Sequence, residues 1–249
     1  MHGILKNKKV REIFEEINKG KNCKKCSKQW NGNKGRSSNL IPGFSSKKIS
    51  IPIEVLIVSK EHGGTDDRWY EGQNTLPEEI EKIRNYYLEE KLKKYNQEQI
   101  RKLCFQLDQE GITWVFTDLI KCFVEHDEEK DKTIVAVKNC KKYLNKQIEV
   151  LKPKIIIVLG RFVLENYFNE HKKLKRLIFE EKIKLINRED RPLNYKIIPS
   201  YFPTGQHADN WVRSGKSERI VKIILEELKR NESNTRRIFK KIFGVLPNR

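Results

Sequence analysis

Four short apolar runs recur along the chain: 53–59 (IEVLIVS), 113–120 (TWVFTDLI), 155–159 (IIIVL) and 196–201 (KIIPSY). They are too short for amphipathic helices and too continuously apolar to show one face to water, so each reads as a strand buried on both faces. Longer stretches with helical spacing separate them: 77–107, opening on Pro77 and Glu78, then 137–151, then a helix from Gly160 to about Phe168. A further helix from about Ser217 to Arg230 follows the fourth run, and Ile4, Leu5, Val10, Ile13, Phe14 and Ile17 set a helical period before the first. Strands alternating with helices predict a three-layer α/β/α fold around a four-stranded parallel sheet. In such sheets chemistry gathers beyond the carboxyl ends of the strands. Four segments fall there: 60–73, 118–126, 160–162 and 202–213.

The 249 residues fit a single domain over 1–230 and a basic tail over 231–249. Within the domain, 1–50 supply the N-terminal helix and an irregular loop rich in Gly, Asn, Ser and Lys. No run approaches the length of a membrane-spanning helix, and the first residues are charged at helical spacing, unlike an export signal. The expectation is a cytoplasmic, intracellular monomer with no membrane partner.

Lys and Arg total 52 against 34 Asp and Glu, a formal net charge of +18. Such an excess suits a polyanionic partner, most simply DNA. The segment from Lys229 to Lys241 interleaves six basic residues with Ile238 and Phe239 and continues into Ile242 and Phe243. It can lie on phosphates or dock as a helix with a solvated basic face.

Five cysteines, two of them in a C-x-x-C, point to metal or cluster ligation rather than disulfides in a chain without an export signal. Cys23 and Cys26 can hold one side of a metal. Cys122, after the second strand, and Cys140, expected at the start of a helix, can close the other. Thiolates select zinc or an iron–sulfur cluster, and spacing does not separate the two. Cys104, between Leu103 and Phe105, reads as a core thiol.

These motifs, taken in order, are Cys23-Lys-Lys-Cys26, Val58-Ser-Lys-Glu61-His-Gly-Gly64, Thr117-Asp118-Leu-Ile-Lys121-Cys122, Cys140-Lys-Lys-Tyr143-Leu144, the block from Leu151 to Gly160 (LKPKIIIVLG), and Pro199-Ser-Tyr-Phe202-Pro203-Thr204. Their order over about 20–230 resembles the iron–sulfur type (family four) of the uracil-DNA glycosylase superfamily. The resemblance implies a four-stranded parallel sheet between helices. It also implies a 4Fe–4S cluster on Cys23, Cys26, Cys122 and Cys140, serving as a structural staple beside the DNA-binding face. The activity it implies is hydrolysis of the N-glycosidic bond of uracil or another deaminated base in DNA.

Such chemistry needs a carboxylate near the sugar, an aromatic platform and a reader for the extruded base. Glu61 aligns with the family's first-motif acid, although Lys60 replaces a glycine and the motif's proline is absent; Asp66 and Asp67 are the nearest substitutes. Trp69 or Tyr70 stands where the family stacks the base. Asp118 replaces an asparagine that reads uracil, and an ionised carboxylate only accepts hydrogen bonds. Three outcomes are open: a protonated Asp118 that mimics the amide, a pocket that prefers an exposed amino group, or a site that no longer turns over. Phe202 takes the place of a histidine that donates to the leaving base, with His207 and His62 as alternative donors. Arg213 and Lys216 are candidate phosphate clamps, as are the exposed N–H groups after Gly160. The rival to the enzyme is a catalytically altered iron–sulfur protein of the same superfamily that binds nucleic acid.

Overall fold

The computed structural model describes residues 6–19, 43–46, 49–60, 78, 81, 84–85, 95–121, 130–168, 186–188, 195–203 and 206–243. Its elements run α1 (Lys8–Lys19), β1 (Phe44–Ser45), β2 (Val55–Ser59), α2 (Tyr95–Gln109), β3 (Trp114–Asp118), α3 (Lys130–Leu151), β4 (Ile155–Leu159), α4 (Arg161–Asn166), β5 (Ile186–Arg188), β6 (Tyr195–Ser200), α5 (Gln206–Arg213) and α6 (Lys216–Phe243).

Strand order is β1-β3-β2-β4-β6-β5. The four expected strands form the parallel centre β3-β2-β4-β6. Two short antiparallel strands, β1 against β3 and β5 against β6, extend it to six. Every residue of β2, β3 and β4 is buried, as expected of strands covered on both faces. The register aligns Ser59 with Asp118 and Leu159 with Ser200, so all four parallel strands end at one carboxyl edge.

The chain moves from β2 outward to β3, then back past β2 to β4. With right-handed crossovers, these two connections lie on opposite faces. Helix packing agrees: α1 packs on α3, while α2, α5 and α6 pack together. Helix α1 starts on Asn7, whose Oδ1 accepts from the N–H groups of Lys9 (3.1 Å) and Val10 (3.3 Å), and it buries Val10, Phe14 and Ile17. On the α3 face, Tyr167 after α4 donates its hydroxyl to Asn145 Oδ1 at 2.6 Å. On the other face, Glu227 of α6 is buried and pairs with Lys196 of β6 at 2.5 Å.

Two boundaries differ from the expectation. The helix expected to end near Arg230 continues without a break to Phe243, so most of the basic tail extends α6. Helix α3 begins at Lys130, which puts Cys140 in the middle of a helix rather than at its start.

Candidate active site

Strand order reverses between β2 and β4: the chain leaves β2 toward one side of the sheet and leaves β4 toward the other. The crevice beyond the carboxyl ends at such a reversal is where open α/β sheets bind ligands. Lys60 follows β2 here, and Phe162 lies in the first turn after β4. The Lys60 ammonium sits 5.3 Å from the centroid of the Phe162 ring, spanning the reversal point. Two main-chain bonds hold this corner, from the Leu119 N–H to the Ser59 carbonyl (2.8 Å) and from the Ile120 N–H to the Lys60 carbonyl (2.9 Å).

Asp118 ends β3, buried at 2 % exposure. The hydroxyl of Ser59, its register partner, donates to Asp118 Oδ1. Below it lies Lys121, a fully buried lysine. Its ammonium donates to Thr117 Oγ1 (2.5 Å) and to Gln147 Oε1 of α3 (2.6 Å). Burial pulls the Lys121 pKa from its ordinary 10.5 down to about 8, while the nearby Asp118 carboxylate and Cys140 thiol push it the other way. A buried carboxylate and a buried ammonium thus offset each other's charge at this edge.

That electrostatic contact also bears on the thiols. Cys140 is buried on α3, seven positions and about two turns before Gln147, on the same side of the helix. It acts on Lys121, the residue preceding Cys122 in the sequence. A buried thiol beside a buried cation suits thiolate ligation. Cys23, Cys26 and Cys122 lie outside the described residues, and no group of three or more metal-ligating side chains converges among those described.

Past β6, an aromatic and basic cluster forms. Tyr201 and His207 stack in parallel, centroids 4.2 Å apart and planes within 4°. The Lys216 ammonium lies 5.8 Å from the Tyr201 ring. Burial raises the Tyr201 phenol, opposed by nearby Arg161. His207 Nδ1 is buried with no hydrogen-bond partner among the described residues. Arg213, in the last turn of α5, is exposed. Phe202 is half-buried against the core, and Gly160 faces its Cβ closely enough that an added side-chain carbon would sit 3.8 Å away. Helix α4 has only six residues, too short to make the turn at Gly160 an anion site.

The candidates therefore divide. Asp118, Phe202, His207, Arg213 and Lys216 all lie at the carboxyl edge or in the elements that leave it, with His207 and Lys216 sharing Tyr201. Glu61, Trp69 and Tyr70 lie outside the described residues, as do His62, Asp66 and Asp67. Sequence reading passed over Lys60, Lys121 and Tyr201 as site residues. Lys121 carried a usable signal, a lysine directly after the buried Leu119 and Ile120.

No helix among the described residues is long and apolar enough to cross a membrane. Among curated proteins, none matches the chain. Residues 61–229 match the family model of the uracil DNA glycosylase superfamily. The match takes in the segments leaving β2, β3, β4 and β6 and covers well over half of the sequence, and on that ground the chain belongs to the uracil DNA glycosylase superfamily.

Proposed function

We propose that the protein is a DNA glycosylase that extrudes a deaminated base from the stack and hydrolyses its N-glycosidic bond. The observation that carries this reading is the superfamily match from Glu61 through most of α6, which spans the carboxyl edge of the sheet. Breaking the bond develops positive charge on the sugar and negative charge on the base. Glu61, next to Lys60 at the reversal point, orients the attacking water or faces the sugar cation. Trp69 or Tyr70 stacks on the extruded base. Asp118 reads its edge, with Phe202 as apolar wall. His207, Arg213 and Lys216 lie on the path of the DNA backbone, and the +18 charge supports that partner.

We assign Cys23, Cys26, Cys122 and Cys140 to a 4Fe–4S cluster, with zinc as the alternative occupant. A cluster there supplies a structural tie between the N-terminal loop and the edge that carries Asp118. The buried Cys140 thiol beside the Lys121 ammonium supports the assignment. Ligation by four thiolates also fits a reducing, intracellular setting.

A base-release assay over uracil, hypoxanthine, xanthine and cytosine in single- and double-stranded DNA tests the enzyme. Release of one of them, reduced in Glu61→Gln, is expected. Salt-dependent DNA binding with no release favours the second reading, a nucleic-acid-binding member that has lost turnover, which the donor-free Phe202 motivates. Iron and sulfide analysis with visible absorption separates the cluster from zinc.

A further inference from the structure

Hydrolysis of an N-glycosidic bond sends the electron pair of the C1′–N bond to the base. The oxygen of water bonds to C1′, and the proton that water gives up balances the charge left on the base. A group facing the base must hold that negative charge while the bond breaks, and fixed positive charge in a water-poor site does so well. Phe202 has no donor. His207 is stacked on Tyr201, with one ring nitrogen buried. Arg161 is engaged by Glu165 along α4. Lys121 is spent within the protein on Thr117 and Gln147.

Lys60 differs from all of these. It sits where strand order reverses, its carbonyl is fixed by Ile120, and its ammonium is held over the Phe162 ring across the crevice. A cation over an aromatic face keeps its charge directed while leaving donors for a ligand. Phe162 is itself packed against the core, so the platform is firm.

We propose that Lys60 is a catalytic residue of this site, its ammonium facing the leaving base and stabilising the negative charge that develops there. The proposal rests on the glycosylase reading above. Lys60 remains protonated throughout, so no proton moves through it and the hydrolysis balances as written.

Leaving-group dependence tests it. Single-turnover release is measured for wild type, Lys60→Met and Lys60→Arg on DNA carrying uracil or cytosine, each paired with its 5-fluoro analogue. The fluorinated base is more acidic and needs less help to depart. Lys60→Met is expected to slow release of the parent base by about 10²-fold or more, and that of the fluorinated base by a smaller factor. Lys60→Arg, which keeps the charge, should recover most of the rate. DNA affinity and thermal unfolding, measured on the same proteins, separate binding and folding from chemistry. An equal deficit on both bases, or a Lys60→Met rate within a few-fold of wild type, overturns the proposal and leaves the glycosylase reading intact. Absence of release of all four bases by the wild-type protein overturns both.

Discussion

Ser59 donates its hydroxyl to Oδ1 of Asp118 across the β2–β3 register, so the last residues of two neighbouring parallel strands are tied at the carboxyl edge. Ionised, Asp118 offers acceptors only, and the Lys121 ammonium behind it favours that form. On the glycosylase reading, the edge of a base carrying an exposed amino group suits Asp118 better than the carbonyl oxygen of uracil. Asp118→Asn is therefore expected to move the ratio of uracil to cytosine release toward uracil by roughly tenfold or more, since a matched hydrogen bond of this kind is worth about 1–3 kcal/mol. Release rates on the two substrates check this, and an unchanged ratio removes Asp118 from base reading. Ser59→Ala, which strands a buried carboxylate oxygen, should lower unfolding stability by about 1–3 kcal/mol.

Lys121 makes a pH-dependent contribution of opposite sign to that of most ion-paired lysines. Its folded pKa is lowered to about 8 from 10.5, so between these values the unfolded chain binds more protons than the folded one. Stability from this group rises with pH across that window, and its cost is full and constant below about pH 8. The total is on the order of 3 kcal/mol, from about 1.4 kcal/mol per pKa unit. The difference in unfolding free energy between wild type and Lys121→Met should follow that slope. Removing the ammonium also leaves Asp118 uncompensated, so Asp118→Asn added to Lys121→Met should cost less than the two single changes together. Urea titrations at several pH values measure both effects, and strict additivity rules out the charge pairing.

The central sheet was legible because β2, β3, β4 and β6 carry apolar residues on both faces, and continuous Ile and Val at strand length allow little else. The edge strands were not. β1 is Phe44–Ser45 and β5 is Ile186–Arg188, too short for any periodicity to develop. What holds β1 in place is tertiary: Phe44 stacks on Phe116 at 5.0 Å and meets Trp114 edge-on. The same limit applies to the site. Asp118 could be placed from its strand and its motif. The Lys60–Phe162 and Tyr201–His207 contacts join residues from separate crossovers, so no local pattern announces them. Helix α6 was read short because polar Asn231, Glu232, Ser233 and Asn234 look like a break, yet no proline or glycine interrupts the helix before Phe243.

Gly43 controls how the segment carrying the C-x-x-C joins the sheet. Its φ is +108°, and a Cβ there would lie 2.1 Å from the carbonyl oxygen of Phe116, a backbone atom that cannot swing away. Gly43→Ala is expected to cost about 3 kcal/mol or more, combining the left-handed penalty with overpacking against β3. Gly111 also has a positive φ, +69°, but nothing stands within 4 Å of its missing Cβ. Gly111→Ala should therefore cost only about 1 kcal/mol. Denaturant midpoints of the two variants test the contrast, and equal losses mean that the close approach at Phe116 carries no weight.

Cys104 gives an internal reference for the thiol chemistry. It is fully buried on α2, and burial together with the nearby Asp108 carboxylate raises its pKa far above the ordinary thiol range. The thiolate, which is the reactive form, is suppressed, and reagent reaches the sulfur only when the core opens. In native protein, maleimide should modify Cys104 more slowly than in unfolded protein by a factor of about 10³ or more, the scale set by a folded domain's opening equilibrium. Peptide mapping after timed labelling measures this residue by residue. If Cys23, Cys26, Cys122 and Cys140 are ligands, a chelator or oxidant that releases the bound iron or zinc should expose thiols among those four to labelling and leave Cys104 protected. Rapid native labelling of Cys104 would contradict the packing of α2 on the sheet, and labelling of the other four that ignores metal removal would contradict their assignment as ligands.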